Sequence, residues 1–576
     1  MASISTPSSK SILGLHVTGA QSGAALFQGG TLVAAVAEER LTRQKRTRSF
    51  PFAAIDFCLR EGGLADLREV DHIVVPWNPE VHMRNINLSG FTSWRRYDPE
   101  WLYIVPNQLM RYMPGAEAGI TALDFGLSGQ GKFAFVSHHH AHIGWAFASP
   151  FDEAAVAIVD EYGEATSLTF AEMRGNRIRI LKEVPFPHSL GVFYATFTEF
   201  LGFRPNADEW KVMGAAAYGD AAAFAVKLRH LVRFEEGDLW LDQTYFEFGN
   251  VRFSGYFSDR LVAYLGIPPR GEDEPLDQAH YDLAASCQLV FEEILFAALR
   301  WLHAQLGIKQ LVLNGGCCMN SLANGKIVSN TPFESLYISP AAADNGTCIS
   351  GPMWLYHLLA GEKGTYRTEI PAYTGPSFTD AEIRAALDRY KVRYRTPDDI
   401  LGATVELLCA GRIVGWFQGR VEFGERALGN RSILGDPRDE RMKDRINRSV
   451  KYREAFRPFA PSVLAERASE YFELPPGMEV KFMEQVYPVQ PEKRSQIPAV
   501  VHRDGTGRLQ TVTEADNPRY HALIERFAAK TGVPVILNTS FNINGEPIVT
   551  SPEDALRTFV TSGIDALAIG DCLLEK

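Results

Sequence analysis

Two stretches of this chain open in the same way, and that repetition limits the possible folds more than any other feature. Residues 12–38 read as strand, loop, strand, a tight Gly29-Gly30 turn and strand, with apolar, β-prone pieces at 12–17, 24–28 and 31–37. Residues 154–185 repeat the pattern. A strand at 155–159 is followed by a loop containing Gly163, then by strands at 168–173 and 178–184 around the turn Arg174-Gly175-Asn176-Arg177. Two such openings predict two related α/β halves, each a mixed sheet flanked by helices, although the letters of the two stretches match only weakly. Residues 73–76 and 133–137 read as further buried strands, 280–306 has helical periodicity, and 310–313 is a strand running into Gly315-Gly316.

The chain has 576 residues, too many for one hydrophobic core. Near residue 365 its character changes: residues 361–376 are rich in Gly, Thr and Pro, which suits an interdomain connection. Helices at 379–390 and 404–410 and a strand at 413–417 follow. The expected division is therefore a domain over 1–365 and a second over 366–576. A net charge of −11 argues against general binding to nucleic acid or a membrane surface. No apolar run is long enough to span a bilayer. The first residues run into a strand without a signal-peptide core. Seven scattered cysteines lack zinc-type spacing and read as reduced thiols, so a cytoplasmic protein is expected.

The sequence His138-His139-His140-Ala141-His142 follows a strand, where a helix should begin. On a helix, positions i and i+4 share a face, so His138 and His142 can aim two imidazoles at one point while His139 and His140 point elsewhere. Surface or capping histidines are the bland alternative, but four of the chain's 14 histidines in five residues weigh against it. Carboxylates are needed to complete such a site. Asp160 ends the strand at 155–159, and Asp344 lies in a loop between apolar segments, both at strand ends where open α/β sheets place their active residues. Each could equally be a turn or cap residue. Two histidines with carboxylates suit iron(II) or zinc, and nothing in the sequence chooses between them.

Gly315-Gly316 follows a strand and continues into Cys317, Cys318, Met319 and Asn320. Such glycines let backbone N–H groups approach a phosphate, or merely reverse the chain. Cys317 and Cys318 read better as buried packing residues than as nucleophiles. Residues 420–457 hold 11 Lys/Arg against seven Asp/Glu in an otherwise acidic protein. Arg420, Arg426 and Arg431 are interleaved with Gly and Ser rather than set at helical spacing, which favours a loop-built anion site over a salt-bridged surface helix. Ser432, Lys443, Lys451, Arg453 and Arg457 extend the basic block.

Together these motifs resemble the carbamoyltransferase family that includes nodulation-factor and antibiotic O-carbamoyltransferases. The resemblance covers nearly the whole chain. It runs through Ala35-Val-Ala-Glu-Glu-Arg-Leu-Thr-Arg43, the histidine cluster, Glu209-Trp-Lys-Val-Met-Gly214, Gly315-Gly-Cys-Cys-Met-Asn320, Asp344-Asn-Gly346, Arg426-Ala-Leu-Gly-Asn-Arg-Ser-Ile433, Arg457-Pro-Phe-Ala-Pro-Ser462 and Leu537-Asn-Thr-Ser-Phe-Asn542. It implies an actin-like (ribonuclease-H-like) two-lobed N-terminal domain that transfers a carbamoyl group, and a YrdC-like α/β C-terminal domain that makes carbamoyl adenylate from carbamoyl phosphate and ATP. On matching motif positions, His138, His142, Asp160 and Asp344 would be the metal ligands, with Asp160 also at the reacting centre. Gly315, Gly316 and Asn320 would lie beside the nucleotide. Arg420, Arg426, Arg431, Ser432, Lys443, Lys451 and Arg457 would serve the phosphates, with Lys451 and Arg426 in catalysis.

Mg is expected with the nucleotide, the acceptor is a hydroxyl of a small natural-product molecule, and a homodimer is compatible with the family. The chain departs from the family in its first loop, where Ala20-Gln21 replaces a His-Asp pair that would orient or deprotonate the acceptor. His16 lies earlier, in the strand, and Asp242 or Glu164 are weaker substitutes. An actin-like ATPase or kinase, or a regulatory protein that binds nucleotide and metal, are the rival readings.

Overall fold

A computed structural model of the chain describes residues 10–78, 108, 133–248, 255–361, 366–452 and 459–576. The chain divides into two compact units, and the division is not one cut. Unit 1 comprises Met1–Ala35, Arg48–Asn320 and Ile327–Ile370, whereas unit 2 comprises Val36–Thr47, Ser321–Lys326 and Pro371–Lys576.

Unit 1 contains two sheets of the same topology. In the first, β1 (Ser11–His16), β2 (Gly23–Gln28), β3 (Thr31–Ala37), β4 (His72–Val75) and β5 (Phe133–Phe135) lie in the order β3-β2-β1-β4-β5. The second holds β6 (Glu153–Val159), β7 (Thr166–Arg174) and β8 (Arg177–Pro185). After the separate hairpin β9 (Val232–Glu235) and β10 (Asp238–Leu241), it adds β11 (Gln310–Asn314) and β12 (Ser335–Ile338), giving β8-β7-β6-β11-β12. Numbered within each half, both orders are 3-2-1-4-5, with the first two strands antiparallel and the first, fourth and fifth parallel. The repeat expected from the two openings is therefore a duplicated ribonuclease-H-like sheet, and the unit is α/β. Strands β1 and β6 are the central strands and are apolar along almost their whole length, as burial on both faces requires.

Helices cover these sheets: α1 (His138–Ile143), α2 (Leu190–Phe200), α3 (Gln278–Leu306) and α4 (Thr347–Ala360). The long α3 starts at an Asp277–His280 capping box and ends at the left-handed Gly307. Helix α4 presses on β1 so closely that a Cβ at Gly14 would lie 1.9 Å from the Cys348 carbonyl oxygen. The parallel strands of each half all point their carboxyl ends the same way, and every candidate residue of unit 1 lies just past one of those ends.

Unit 2 is built on a seven-stranded mixed sheet. Its strands are β13 (Val414–Phe417), β14 (Arg431–Gly435) and β15 (Ala460–Leu464). After a two-residue ladder of β16 (Tyr487–Pro488) and β17 (Thr506–Gly507) come β18 (Gln510–Val512), β19 (Val535–Ser540), β20 (Ala566–Ile569) and β21 (Cys572–Glu575). The order is β18-β15-β19-β14-β13-β20-β21. Helices α5 (Asp380–Arg389), α6 (Ile400–Cys409), α7 (Pro518–Thr531) and α8 (Pro552–Thr561) pack on it, and Trp416, Phe417, Tyr520, Phe527 and Phe541 fill its core. The early segment Val36–Thr47 belongs here through its arginines. Arg40 donates to Gly424 O at 2.9 Å, and Arg43 to Ile548 O at 2.6 Å and Pro547 O at 2.8 Å. In Ser321–Lys326, the Asn324 side chain donates to Glu484 O, and a Cβ at Gly325 would sit 1.9 Å from Val486 O. Neither segment announces this in its residues.

Candidate metal centre and anion site

Helix α1 begins three residues past β5, and the i, i+4 spacing does what the sequence predicts. His138 Nε2 lies 3.2 Å from Asp160 Oδ2 and 3.4 Å from Asp344 Oδ1, while His142 Nε2 lies 3.4 and 3.8 Å from the same atoms. The two Nε2 atoms are 3.2 Å apart, and all four ligand atoms fall within 4.8 Å of one another. Both histidines and Asp160 are buried, but the Asp344 side chain is 44% exposed, so the cluster opens on that side. His139 instead meets Thr169 Oγ1 at 2.8 Å, and His140 stacks on Trp354, away from the cluster.

The neighbours fix these ligands. Pro76 O lies 3.2 Å from His138 Nδ1 and accepts its proton, so Nε2 is the ring nitrogen turned to the carboxylates. Asp160 Oδ1 accepts from Glu161 N at 2.8 Å and Gly316 N at 3.0 Å, so its Oδ2 is turned to the histidines. Gly315 makes this possible with a left-handed φ of 101°, at a place where a Cβ would lie 2.3 Å from Val159 O. The Gly-Gly loop thus orients a ligand carboxylate. Asn320 is held through both amide atoms by Gln288, at 2.9 and 3.0 Å. Glu164 accepts from the backbone N–H groups of His138 and Asn78 and caps α1, while Asp242 holds Thr244 in its own turn.

Burial pulls the His138 imidazole down, but Asp344 and Asp160 together hold it well above its ordinary value. The same histidine draws Asp344 well below the usual carboxylate range against the cost of burial. An imidazolium between two carboxylates is the arrangement that a divalent cation replaces, and the two-nitrogen, two-oxygen donor set fits iron or zinc. The buried Nδ1 of His142 has no hydrogen-bond partner among the described residues.

His16 joins this group. It is the last residue of β1 and fully buried, and Asp344, His138 and His142 all act on its charge. Its Nε2 lies 3.3 Å from Ala20 O in the first loop, its Nδ1 is buried without a partner among the described residues, and burial pushes it down to about 4. The sequence placed His16 inside the strand. Its position at the strand's carboxyl end is the signal that marks it as part of the site.

In unit 2, Arg420 and Arg426 lie in the connection between β13 and β14 and Arg431 opens β14, whereas Lys443 lies in the helical segment Met442–Ile446 and Lys451 in Asn447–Lys451. Arg431 is wholly buried over the Phe417 ring, 3.6 Å from its centroid. Its Nη1 donates to Gln418 O at 2.5 Å and Gly419 O at 3.1 Å, whereas Nε and Nη2 have no partner among the described residues. Burial depresses this guanidinium to about 9, and lowers Arg426 as well. Arg420 donates to Gly375 O and Thr374 O, and Ser432 Oγ accepts from Gly429 N. Lys451 is enclosed by the Ser540 and Asn542 carbonyls and side chains at 2.5–3.2 Å, and so pins the 540–542 turn. Arg453 and Arg457 lie outside the described residues.

Two groups absent from the sequence reading also emerge. Glu422 is buried and accepts the N–H groups of Leu428, Asn430 and Arg431 at one oxygen, which shapes the arginine loop. The half-buried His502 is pushed down to about 4 by desolvation, with Arg508 and Lys443 adding to the effect against Asp504, so these two cations act on it together.

Comparison with known proteins now bears on this geometry. The profile described as Carbamoyltransferase N-terminus matches residues 11–352, and Carbamoyltransferase C-terminus matches 405–576. The chain belongs to the carbamoyltransferase family. Nodulation protein NolNO of Sinorhizobium fredii is 37% identical, covering 96% of this chain and 78% of that protein. Nodulation protein U of Rhizobium tropici is 27% identical over 90% of this chain and 89% of that one. The 3'-hydroxymethylcephem-O-carbamoyltransferase of Amycolatopsis lactamdurans is 29% identical over 77% of this chain and 81% of its own length. A carbamoyltransferase is a transferase, and no helix among the described residues is long and apolar enough to cross a membrane.

Proposed function

We propose that this carbamoyltransferase forms carbamoyl adenylate from carbamoyl phosphate and ATP in unit 2, then passes the carbamoyl group in unit 1 to a hydroxyl of a small-molecule alcohol. The observation that carries the reading is the buried two-histidine, two-aspartate cluster past the ends of parallel strands, in a chain whose family transfers carbamoyl groups.

In the first reaction water cleaves carbamoyl phosphate, giving carbamate and inorganic phosphate. A carbamate oxygen then attacks the α-phosphorus of ATP, and the bond to the leaving pyrophosphate breaks. Negative charge sits on phosphate oxygens throughout, so fixed cations lower the barrier. Arg431, with two buried donors unsatisfied among the described residues, and Arg426 supply them on one side of the arginine loop. Lys443 with Arg508 supplies them around His502. Lys451 acts by holding the 540–542 turn, and Mg accompanies the nucleotide.

In the second reaction the acceptor oxygen attacks the carbamoyl carbon and the bond to AMP breaks. His138, His142, Asp160 and Asp344 would hold the metal, which when bound supplies Lewis acidity to the carbonyl oxygen that gains charge. His16 stands at the carboxyl end of β1 beside these residues, where its Nε2 faces Ala20 O and so orients the first loop.

Exchange of labelled pyrophosphate into ATP tests this. The metal-replete protein should show exchange only with carbamoyl phosphate present, and Arg426→Ala should lower it by about 100-fold or more. Absence of carbamoyl-phosphate-dependent exchange overturns the reading. ATP cleaved instead to ADP would favour the kinase or ATPase chemistry that the duplicated sheet also suits.

A further inference from the structure

The helical turn Glu38–Thr42 lies near the start of the chain, yet an arginine within it and another just past it hold unit 2 at two separate places. Arg40 is buried, and its Nη2 donates to Gly424 O at 2.9 Å. Gly424 stands two residues before Arg426 and has a φ of 100°, so the direction of its carbonyl sets how the arginine loop leaves it. Arg43 uses both ends of its fork, donating to Pro547 O at 2.8 Å and Ile548 O at 2.6 Å. Its guanidinium also lies 3.3 Å from Asp554 and 3.9 Å from Glu546.

From Arg43 the contacts continue to the basic residues in short steps. Asn542 Nδ2 donates to Glu546 O at 2.7 Å, and Val549 N donates to Phe541 O at 2.9 Å, so the stretch that Arg43 holds in turn holds the 540–542 turn. That turn carries the Ser540 and Asn542 oxygens enclosing Lys451, and Phe541 N donates to Arg431 O at 2.9 Å. Two early arginines thus stand behind Arg426, Arg431 and Lys451. The backbone adds a second observation. Arg43 has a φ of 64°, in the left-handed region where glycine or asparagine sits more easily and an arginine is strained. A residue chosen for the turn alone would avoid that strain, so the side chain's contacts offset it. Gripping two consecutive carbonyls also fixes their direction, which the single nitrogen of a lysine cannot do as well.

We propose that Arg40 and Arg43 are positioning residues of the anion site in unit 2, acting through the backbone that aims Arg426, Arg431 and Lys451. The assignment rests on those cations serving phosphates, as proposed above, but its test needs no carbamoyl chemistry. Inorganic pyrophosphate is titrated into the full-length protein by calorimetry, and acetylation of each lysine by acetic anhydride is followed by peptide mass spectrometry. Arg43→Met should weaken pyrophosphate binding about tenfold and acetylate Lys451 about tenfold faster. Lys481, paired with Asp516 in the same unit, should keep its rate, whereas a loss of stability alone would speed both lysines together. Arg43→Lys, which keeps the charge and one donor nitrogen, should recover part of both effects, and it carries the test if Arg43→Met fails to fold. Arg40→Met should weaken pyrophosphate binding by a similar factor and leave the Lys451 rate unchanged, because Gly424 leads to Arg426. No pyrophosphate binding by the wild type, unchanged affinity in the folded variants, or Lys451 and Lys481 accelerating together overturns the proposal. Weakened pyrophosphate binding in the variants, with no carbamoyl-phosphate-dependent exchange in the wild type, would instead remove the adenylate reading and leave the positioning role standing.

Discussion

His142 contributes one of two imidazoles to the cluster, and no other histidine of α1 is turned to replace it. His142→Ala should weaken binding of iron(II) or zinc by at least about 100-fold, measured by chelator competition. Unchanged affinity would show that the cluster is not a metal site. A second residue gives a pH test. Burial pushes the Glu484 carboxyl up to about 7 from an ordinary 4.5. The folded chain therefore keeps a proton that the unfolded chain loses between these values. Stability should be full below about pH 4.5 and fall as pH rises to about 7, by ~3 kcal/mol at the linkage limit. Glu484→Gln should flatten that slope in urea titrations, and a wild-type protein already flat across the window would contradict the assignment. At this scale the sequence was legible where one helical turn does the work, as with His138 and His142. It was not legible for His16, where one residue of strand register separates a core position from the site. The basic block points to Lys451 as a phosphate candidate, but its contacts with Ser540 and Asn542 could not be read from the sequence, since these residues lie 89 and 91 positions away.

At the scale of elements, the contact between β1 and α4 sets the position of the first-half strand ends. Gly14→Ala would drive a methyl group into the Cys348 carbonyl, with Pro352 Cγ of the same helix 2.6 Å away. The expected cost is about 3 kcal/mol in denaturant titration, because the obstacle is backbone and cannot rotate away. A change below 1 kcal/mol would mean that α4 gives way more easily than its packing implies. Most elements were readable from pattern. The openings at 12–38 and 154–185 became two copies of one sheet order, and the periodic segment at 280–306 became α3, since long apolar repeats have few alternative folds. What pattern could not show is pairing across the chain. Nothing in the residues of β15 says that it lies between β18 and β19.

At the scale of the whole molecule, each unit has its own sheet, but unit 2 draws on three stretches of chain. The sequence suggested a division at residue 365 because the Gly- and Pro-rich stretch there is a compositional signal, whereas Val36–Thr47 and Ser321–Lys326 look like ordinary connections. A fragment of residues 371–576 expressed alone lacks Arg40 and Arg43, and so leaves the carbonyls of Gly424, Pro547 and Ile548 without these donors. It should exchange its amide hydrogens faster around 543–550 than the intact protein does. Equal protection would show that the two arginines are incidental.

The same arrangement imposes an order on biosynthesis. Arg43 leaves the ribosome 505 residues before its acceptor Ile548. At roughly 5–20 residues per second, that is a wait of roughly 25–100 s. Throughout that interval the Val36–Thr47 segment must remain available instead of being sealed into the first sheet, whose β3 it directly extends. Until residues 424, 547 and 548 have been made, Arg40 and Arg43 of the nascent chain lack the carbonyls that hold them in the finished fold.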